Sequence, residues 1–520
     1  TFHYHKKKNI TIVQNIDLVY GVFFSIFLLI ILHFFIPIKL ISFLFFLIGF
    51  STFIYFFFKK KFNFNNIIKF LLALFFLLYI TSSHSPTYDT QLYHYQILNW
   101  NYDYKIAINL ALIDDRLGMV SPWHLFLGLG NIKIYNTYVA YFLNYIPIIL
   151  LILEILNIRK INLKIPEIFL ILSVSFILIF SLIHPFQNGT ILMHLGSLGT
   201  DLPAALFFIL SICYFLRCFY ENKYYNFYLL IIYISLAILS KISYITLLIL
   251  PAILILNKKH FFGKNYFSIA VFFVFFFWII RSVLNNGCII FPAKNTCLNL
   301  KNFISPEFIN KYSLVVKSFA RTAPNHENFM NLDYTINSYK WFNDWFYNYF
   351  LTSSLTQIFL IIIIITIPFF LYNLKNIKQK KICIYLISFF ILSLFLWLQA
   401  PDIRFAIGLL VSFPCYVLTC SLNNDLNKLI QKYHFLFISI IFFSIVIKNI
   451  QNFQNLFEKA IFVRNYNYST FTIDKKIDNF IVRSNKKNQG FCYDIELICI
   501  NNSNRNFEIH KTKYNYLIFK

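Results

Sequence analysis

The sequence has few charged residues for its length, since only 13% of its 520 residues are Asp, Glu, Lys or Arg. Hydrophobic residues make up 58%. A soluble protein of this size could not cover so large an apolar fraction with so few charges, and disordered chains are polar and charge-rich. The scarcity of charge excludes both classes and predicts an integral membrane protein.

Glycine and acidic residues are also scarce, with 12 and 21 copies. The lone segment Gly128-Leu129-Gly130 lacks the context of a phosphate-binding loop and predicts no nucleotide site. The net charge of +25 comes from basic residues in short clusters between apolar runs. This distribution is typical of cytoplasmic loops of membrane proteins, so nucleic acid is not an expected partner.

Apolar runs of the length of a membrane helix follow one another along the chain. A helix needs about 20 apolar residues to cross the hydrocarbon core. Lys241 lies in the middle of the run 226–256, which is longer than a bilayer core requires. Either a short break there separates two short spans, or one tilted helix carries a buried charge. The alternation of basic loops needs the break, so we predict it. The predicted fold is an all-α polytopic membrane protein with amphipathic helices in its outer loops and a small C-terminal extramembrane segment. Its 13 predicted transmembrane helices are 17–35, 40–58, 66–80, 136–157, 166–184, 201–219, 226–240, 242–256, 266–283, 354–372, 382–399, 403–422 and 433–449.

Lysine and arginine mark one side of the membrane. They cluster in alternate short loops, whereas the short connections of the other side hold only Lys39. By the positive-inside rule the N-terminus is cytoplasmic, and an odd number of spans places the C-terminus outside. We divide the chain into two N-terminal helices (1–65), a membrane domain (66–449) and an outer tail (450–520), which is either a small α/β domain or mobile. The long outer loops are 81–135, with helices on the membrane surface, and 284–353.

Two pairs of cysteines lie in predicted outer segments. Cys288 and Cys297 share the second outer loop, and Cys492 and Cys499 share the tail. An oxidising compartment favours disulfides between such pairs. A metal site is the weaker alternative, because no histidine-rich spacing accompanies these cysteines.

Ionisable residues close to membrane depth are costly and usually functional. Those predicted at the outer surface form the candidate set: Asp89, His94, Arg116, Asp201, Lys241, Arg281, Asp402 and Arg404.

Most of these residues also have a structural explanation. Asp201 could only cap a helix, and Asp402 and Arg404 could pair across their turn. Lys241 could extend to the lipid headgroups. Two residues of the first outer loop also have such explanations. Arg116 could belong to a solvated loop with Asp114 and Asp115, and His94 could simply lie at the membrane interface. Asp89 is least readily explained in this way, because it lies among aromatic residues directly after the third predicted span.

The order of these residues resembles the GT-C superfamily of membrane glycosyltransferases, which includes the protein O-mannosyltransferases and the bacterial aminoarabinose transferases that act on lipid A. The resemblance lies in an Asp at the start of the first outer loop, an acid opening a later span, a Lys between two short spans, and an Asp-x-Arg-aromatic turn. The matching segments are Tyr88-Asp89-Thr90, Thr200-Asp201-Leu202-Pro203, Leu239-Ser240-Lys241-Ile242 and Pro401-Asp402-Ile403-Arg404-Phe405. Residues 85–124 also resemble uncharacterised bacterial multi-spanning proteins. Thr90 departs from the pattern, because many members have a second acid there.

The resemblance implies an inverting glycosyltransferase of the bacterial cytoplasmic membrane. It would move a sugar from a polyprenyl-phosphate-linked donor to an envelope glycan, lipid or protein at the outer face. Asp89 would be the catalytic base. Lys241, Arg281 and Arg404 would take up the charge of the leaving phosphate. The other substrate-binding candidates are Asp201, which would hold sugar hydroxyls or orient Lys241, and His94, Arg116 and Asp402.

No cofactor is expected. Asp114-Asp115 imitates the acidic pair of metal-dependent members, but no ligand set for a divalent metal is complete.

Three other functions are compatible with the sequence. A polysaccharide polymerase or ligase would share the outer site but depend on Arg and His in two large loops. A flippase or transporter for lipid-linked oligosaccharide would place charges near the midplane, with access from both sides. A scaffold of an envelope complex would expose an apolar patch on residues 450–520. The one-sided charges favour the transferase over the transporter.

Overall fold

The computed structural model is mostly helical. It describes residues 15–58, 71–75, 87–134, 137–156, 164–183, 196–221, 223–257, 266–299, 303–322, 331–373, 380–421, 472–477, 480–484, 499–500, 508–512 and 516–519, with single residues between them. Most of the predicted spans 66–80 and 433–449 and much of the tail 450–520 lie outside the described residues.

The helices and strands are numbered here in chain order. The helices are α1 (Asn15–Leu32), α2 (Ile38–Phe58), α3 (Tyr95–Asp103), α4 (Pro122–Gly128), α5 (Ala140–Asn144), α6 (Ile146–Leu156), α7 (Ile165–Ile183), α8 (Asp201–Glu221), α9 (Tyr224–Ser240), α10 (Ile249–Asn257), α11 (Tyr266–Asn286), α12 (Pro306–Arg321), α13 (Leu332–Asn337), α14 (Lys340–Trp345), α15 (Ser354–Asn373), α16 (Lys380–Trp397) and α17 (Ile407–Ser421). The strands are β1 (Lys133–Ile134), β2 (Thr137–Tyr138), β3 (Thr472–Ile477), β4 (Phe480–Ser484), β5 (Cys499–Ile500), β6 (Ile509–Lys511) and β7 (Leu517–Phe519).

Four of the described helices are long and apolar enough to cross a membrane, namely α2, α8, α11 and α15. Helix α8 is the central one, since 89% of it is buried, whereas only 17% of the apolar part of α2 is buried. The peripheral helices expose large apolar side chains such as Phe46, Phe272 and Ile364. A helix can leave such a surface uncovered at low cost only when lipid surrounds it.

Helix α8 packs closely against α9 and α17. Its acidic first residue Asp201 and Pro203 in the first turn both suit a helix start, because Pro lacks an N–H that would go unpaired there. Gly408 of α17 allows the close approach. A Cβ atom at Gly408 would lie 2.9 Å from the carbonyl oxygen of Ala205.

The predicted break at Lys241 is present. Helix α9 ends at Ser240, Lys241 is extended with φ −150° and ψ 118°, and a 3₁₀ segment, Ile242–Leu248, leads into α10. The hydroxyl of Ser121 donates to the carbonyls of Leu239 at 3.0 Å and Ser240 at 3.1 Å. It therefore satisfies carbonyls that the end of a helix leaves without partners.

Two expectations from the sequence differ from the structure. The predicted span 136–157 is interrupted, because the continuous helix α6 begins only at Ile146, next to Pro147. Proline has no N–H to donate to the carbonyl four residues earlier, so the helix does not extend back through α5. The first outer loop does not merely lie on a surface, since every residue of α4 is buried.

The C-terminal hairpin of β6 and β7 packs against the first outer loop. The N–H of Ile108 donates to the carbonyl of Leu517 at 2.9 Å, and the N–H of Phe519 donates to the carbonyl of Ile108 at 3.1 Å. The hydroxyl of Tyr516 donates to the carbonyl of Phe34, directly after α1, at 2.9 Å. The end of the chain therefore lies on the same face as the end of α1 and the first outer loop.

Both expected cysteine pairs are bridged in the structure. One disulfide joins Cys288 to Cys297, and the other joins Cys492 to Cys499.

Candidate active site

Asp89 lies at the start of a helical segment that is anchored to the residues before α8. The segment continues through a π-helical turn, Thr90–His94, into α3. The N–H of Thr87 donates to the carbonyl of Gly196 at 3.1 Å, and the N–H of Leu198 donates to the hydroxyl of Thr90 at 3.0 Å. These two bonds place the Asp89 carboxylate beside the N-terminus of α8.

Arg404 joins Asp89 to Asp402. Its Nη1 atom lies 2.9 Å from Oδ2 of Asp89, and its Nη2 atom lies 2.9 Å from Oδ2 of Asp402. Asp402 also accepts from the backbone N–H of Arg404 at 2.9 Å, which starts the 3₁₀ turn Ile403–Phe405. The carboxylates of Asp402 and, less strongly, Asp89 raise the pKa of Arg404 well above its ordinary value against the effect of burial. The guanidinium is therefore a permanent cation.

Aromatic residues hold this turn in place. The indole N–H of Trp345 donates to the carbonyl of Pro401 at 3.0 Å, and that of Trp397 donates to the carbonyl of Asp402 at 2.7 Å. The hydroxyl of Tyr349 reaches Oδ1 of Asp402 at 3.4 Å. Because its backbone is fixed and its carboxylate is 1% exposed, Asp402 serves mainly to orient Arg404.

Lys241 pairs with Asp201 across the helix break. Its ammonium contacts Oδ1 of Asp201 and lies 3.9 Å from the centroid of the Phe405 ring. A cation over an aromatic face gains electrostatic stabilisation. Phe405 directly follows Arg404. The turn Ile403–Phe405 therefore joins Arg404 and its two carboxylates to the pair of Lys241 and Asp201, and they form one group.

The structure thus brings five predicted residues together, and we call them the charged cluster: Asp89, Asp201, Lys241, Asp402 and Arg404. It contains three carboxylates and two cations. Each of the four side chains other than Asp402 retains some exposure, from 16% for Lys241 to 29% for Asp89. A polar substrate group can therefore reach the cluster.

His94 lies beside the cluster in a buried layer of imidazoles. Its ring centroid is 5.4 Å from that of His124. Burial lowers the pKa of His94 to about 3, although the nearby Asp201 carboxylate acts in the opposite direction. Burial likewise lowers the pKa of His124 to about 3 and lowers that of His194. These three imidazoles are neutral at physiological pH, so they can hydrogen-bond but add no charge.

The two remaining candidates occupy different places. Arg116 lies at the rim, 3.7 Å from a carboxylate oxygen of Asp114 and 6.0 Å from the centroid of the Tyr93 ring. Tyr93 is electrostatically coupled to the cluster. Burial, and to a lesser extent the carboxylates of Asp89 and Asp201, raise the pKa of the Tyr93 phenol well above its ordinary value. Arg281 lies apart, with His33 and Asn101 as its partners.

The sequence analysis did not single out two of the surrounding residues, His194 and Tyr349. Aromatic residues make up 21% of the chain, so a single Tyr or Phe carries almost no signal. His194 could have been identified more readily from the sequence, because histidine is rare in this chain and His194 lies seven positions before Asp201.

No group of three or more His, Cys, Asp or Glu side chains in the described part of the chain is arranged to hold a metal ion. The charged cluster itself supplies carboxylates and cations. It combines a carboxylate that can accept a proton with two cations that can face an anionic group.

A model of the family described as a domain of unknown function, DUF8201, matches residues 1–411, and the chain belongs to this family. The matched range contains the entire charged cluster. No curated protein and no solved structure matches the chain.

Proposed function

We propose that this DUF8201 protein is a membrane glycosyltransferase of the GT-C type, which moves a sugar from a polyprenyl-phosphate-linked donor to an envelope glycan, lipid or protein. The observation that carries the proposal is the convergence of Asp89, Asp201, Lys241 and Arg404, which lie up to 315 positions apart in sequence, on one group. Ionisable residues close to membrane depth are costly and usually functional, and two pairs would already balance these four charges without bringing all four together, so we favour a ligand as the explanation.

Asp89 is the proposed base. Arg404 holds its Oδ2 atom at 2.9 Å, and Oδ1 has no hydrogen-bond partner among the described residues. The held oxygen fixes the orientation of the carboxylate, and the other can accept the proton of an acceptor hydroxyl or amine as the new glycosidic bond forms. A single direct displacement with one base inverts the configuration of the sugar.

Arg404 and Lys241 are the proposed partners of the donor phosphate. Three N–H groups of Arg404 face carboxylates, and a guanidinium has five. The two remaining N–H groups of Arg404 can donate to phosphate oxygens. The N–H groups of Lys241 that do not face Asp201 can do the same. These donors would stabilise the negative charge that collects on the leaving phosphate.

Asp201 has the proposed role of orienting Lys241 and of accepting from sugar hydroxyls with its second oxygen. His94 and Arg116 would line the sugar or acceptor side, the first as a neutral hydrogen-bonding group and the second as a rim cation. Asp402 would act through Arg404 alone.

We also propose 13 spans in the bacterial cytoplasmic membrane, with a cytoplasmic N-terminus. The contact of the C-terminal hairpin with the first outer loop supports this arrangement, because it puts the chain end on the face of Asp89 while α1 begins on the opposite face. Cysteine-labelling from outside intact cells tests it. A cysteine introduced at Thr512 should react with a membrane-impermeant maleimide, and one introduced at Lys223, in the exposed connection between α8 and α9 that we propose is cytoplasmic, should not.

The test of the function is a mass-spectrometric comparison of envelope glycans from cells that carry the wild type, Asp89→Asn or the matched control Asp103→Asn. Asp103 is an exposed carboxylate at the end of α3, the helix that follows the Asp89 turn. We expect Asp89→Asn to lower transfer about 100- to 10,000-fold, the usual effect of removing a positioned base. Asp103→Asn should match the wild type.

Three outcomes would count against the transferase. A folded Asp89→Asn protein that supports normal glycan levels would remove the base from the mechanism. A glycan that is made in full but stays on the cytoplasmic face would favour a flippase instead. A chain-length change without loss of the first sugar would favour a polymerase or ligase.

A further inference from the structure

Arg281 is a buried cation that stands outside the charged cluster. It lies five residues before the end of α11 and is 4% exposed. Its Nη1 atom donates to Nδ1 of His33 at 2.7 Å, and its Nη2 atom donates to Oδ1 of Asn101 at 2.7 Å. Neither partner is an acid.

His33 is fixed as a neutral imidazole by its own contacts. Its Nε2 atom lies 2.9 Å from the carbonyl of Asn101 and 3.0 Å from that of Tyr104. Two carbonyls can only accept, so Nε2 carries the proton and Nδ1 offers its lone pair to Arg281. His33 therefore contributes no negative charge.

The positive charge of Arg281 has no counter-charge among the described residues. No carboxylate forms an ion pair with it there, and its Nε atom is buried without a hydrogen-bond partner. A buried charge costs several kcal/mol unless it is paired. An anion from outside the chain would remove this cost.

A cavity adjoins Arg281 and holds a second cation. Its polar lining residues are Asn101, Lys105, Ser121, Arg281 and Asn285, and mainly apolar residues such as Trp100 and Leu110 form the rest of its wall. Lys105 also lies 5.2 Å from the centroid of the Tyr516 ring in the C-terminal hairpin. The cavity is thus bounded by the first outer loop and α11, beside the C-terminal hairpin.

We propose that this cavity is an anion site that binds a phosphate group at the membrane surface, separate from the charged cluster. Arginine recognises phosphate oxygens through charge-assisted hydrogen bonds, and the Nε–H of Arg281 is a buried donor that is still available. Arg281 lies about 7.5 Å along the helix axis from the end of a largely lipid-facing helix, which is the depth of lipid headgroups. The phosphate comes from a lipid headgroup or from free phosphate, since the two share this chemistry.

Binding to the purified full-length protein tests the site without reference to sugar transfer. The probes are inorganic phosphate, followed by thermal stabilisation, and phosphatidylglycerol in mixed micelles, followed by native mass spectrometry. The variants are Arg281→Gln and, as the control, Lys223→Gln, which removes a 65% exposed cation outside both sites. We expect Arg281→Gln to weaken phosphate binding at least about tenfold, the loss expected for one charged hydrogen bond. Lys223→Gln should change it less than about twofold.

The two sources are separated by competition. If the protein binds phosphatidylglycerol and inorganic phosphate displaces it, the ligand is a lipid headgroup. If the protein binds only inorganic phosphate, the ligand is the free ion. The site would be overturned if Arg281→Gln bound as well as the wild type, if Lys223→Gln lost as much affinity as Arg281→Gln, or if neither probe bound.

If Arg281→Gln does not fold, Lys105→Gln at the half-buried edge of the cavity decides the question. It should weaken binding by a few-fold, and unchanged affinity would overturn the proposal.

Discussion

The pair of Lys241 and Asp201 gives the sharpest test of the geometry, because it does not depend on any assumed reaction. Their side chains are 16% and 17% exposed, so both charges are largely removed from water. Breaking a buried pair by removing one partner costs about 3–5 kcal/mol, since the other charge stays buried. We expect the lower end for Lys241→Met, about 3 kcal/mol, because Arg404 remains close to Asp201 and compensates in part.

Asp201→Asn should lower the free energy of unfolding by a similar amount, since it leaves the Lys241 ammonium over Phe405 without its carboxylate. In the double variant no charge is left unpaired, so its loss should be close to that of one single variant. The coupling energy is then on the order of 2–3 kcal/mol, at the upper end for residues in direct contact.

The assay is reversible unfolding by dodecyl sulfate in mixed micelles, with the four proteins of the cycle compared. Lys223→Met is the matched control. Lys223 pairs with Glu221 at 3.1 Å but is 65% exposed, so its loss should cost less than about 1 kcal/mol. If the losses of Lys241→Met and Asp201→Asn simply add in the double variant, the two side chains do not interact and the charged cluster is wrong.

Three further predictions concern packing, protonation and covalent bonds. Gly408→Val should destabilise the protein by about 1–3 kcal/mol or more, because its side chain would meet Ala205 and Phe208, whereas Gly49→Val meets nothing within 4 Å and should be neutral by the same unfolding assay. Because burial lowers the pKa of His94 to about 3, the unfolded chain takes up its proton first, so stability should fall as pH falls from about 6.5 towards 3. A His94→Gln variant should lose up to about 1.4 kcal/mol per pH unit of that slope, and the exposed His510 replaced by Gln should leave it unchanged. Peptide mass spectrometry without reductant should find both disulfides closed, and free thiols at those four cysteines would contradict their outer placement.

The class of the protein and the choice of candidate residues follow from composition. With 13% charged residues, the chain cannot be soluble at this length, and each charge beside an apolar run stands out. Lys241 is the clearest case, because it interrupts the mostly apolar run 226–256, which is longer than one span requires. The same reasoning selected Asp89, Asp201 and Arg404.

The sequence could not predict which charges meet. Asp402 and Arg404 are neighbours and their contact was expected, but the bond from Arg404 to Asp89 spans 315 positions. It depends on how α8 packs against α9 and α17 and on two backbone bonds that hold the first outer loop. The interruption before α6 and the burial of α4 are likewise consequences of packing.

The apolar pattern of the chain by itself determined that it is a helical membrane protein with rare charges at the ends of its helices, because hydrocarbon accepts only such segments. Only the tertiary structure decided that Arg404 and Lys241 share one group with three carboxylates while Arg281, equally conspicuous in sequence, lies elsewhere with neutral partners. Electrostatic pairing acts over a few ångströms, and distances of that size between remote segments are set by helix packing and not by any local run of residues.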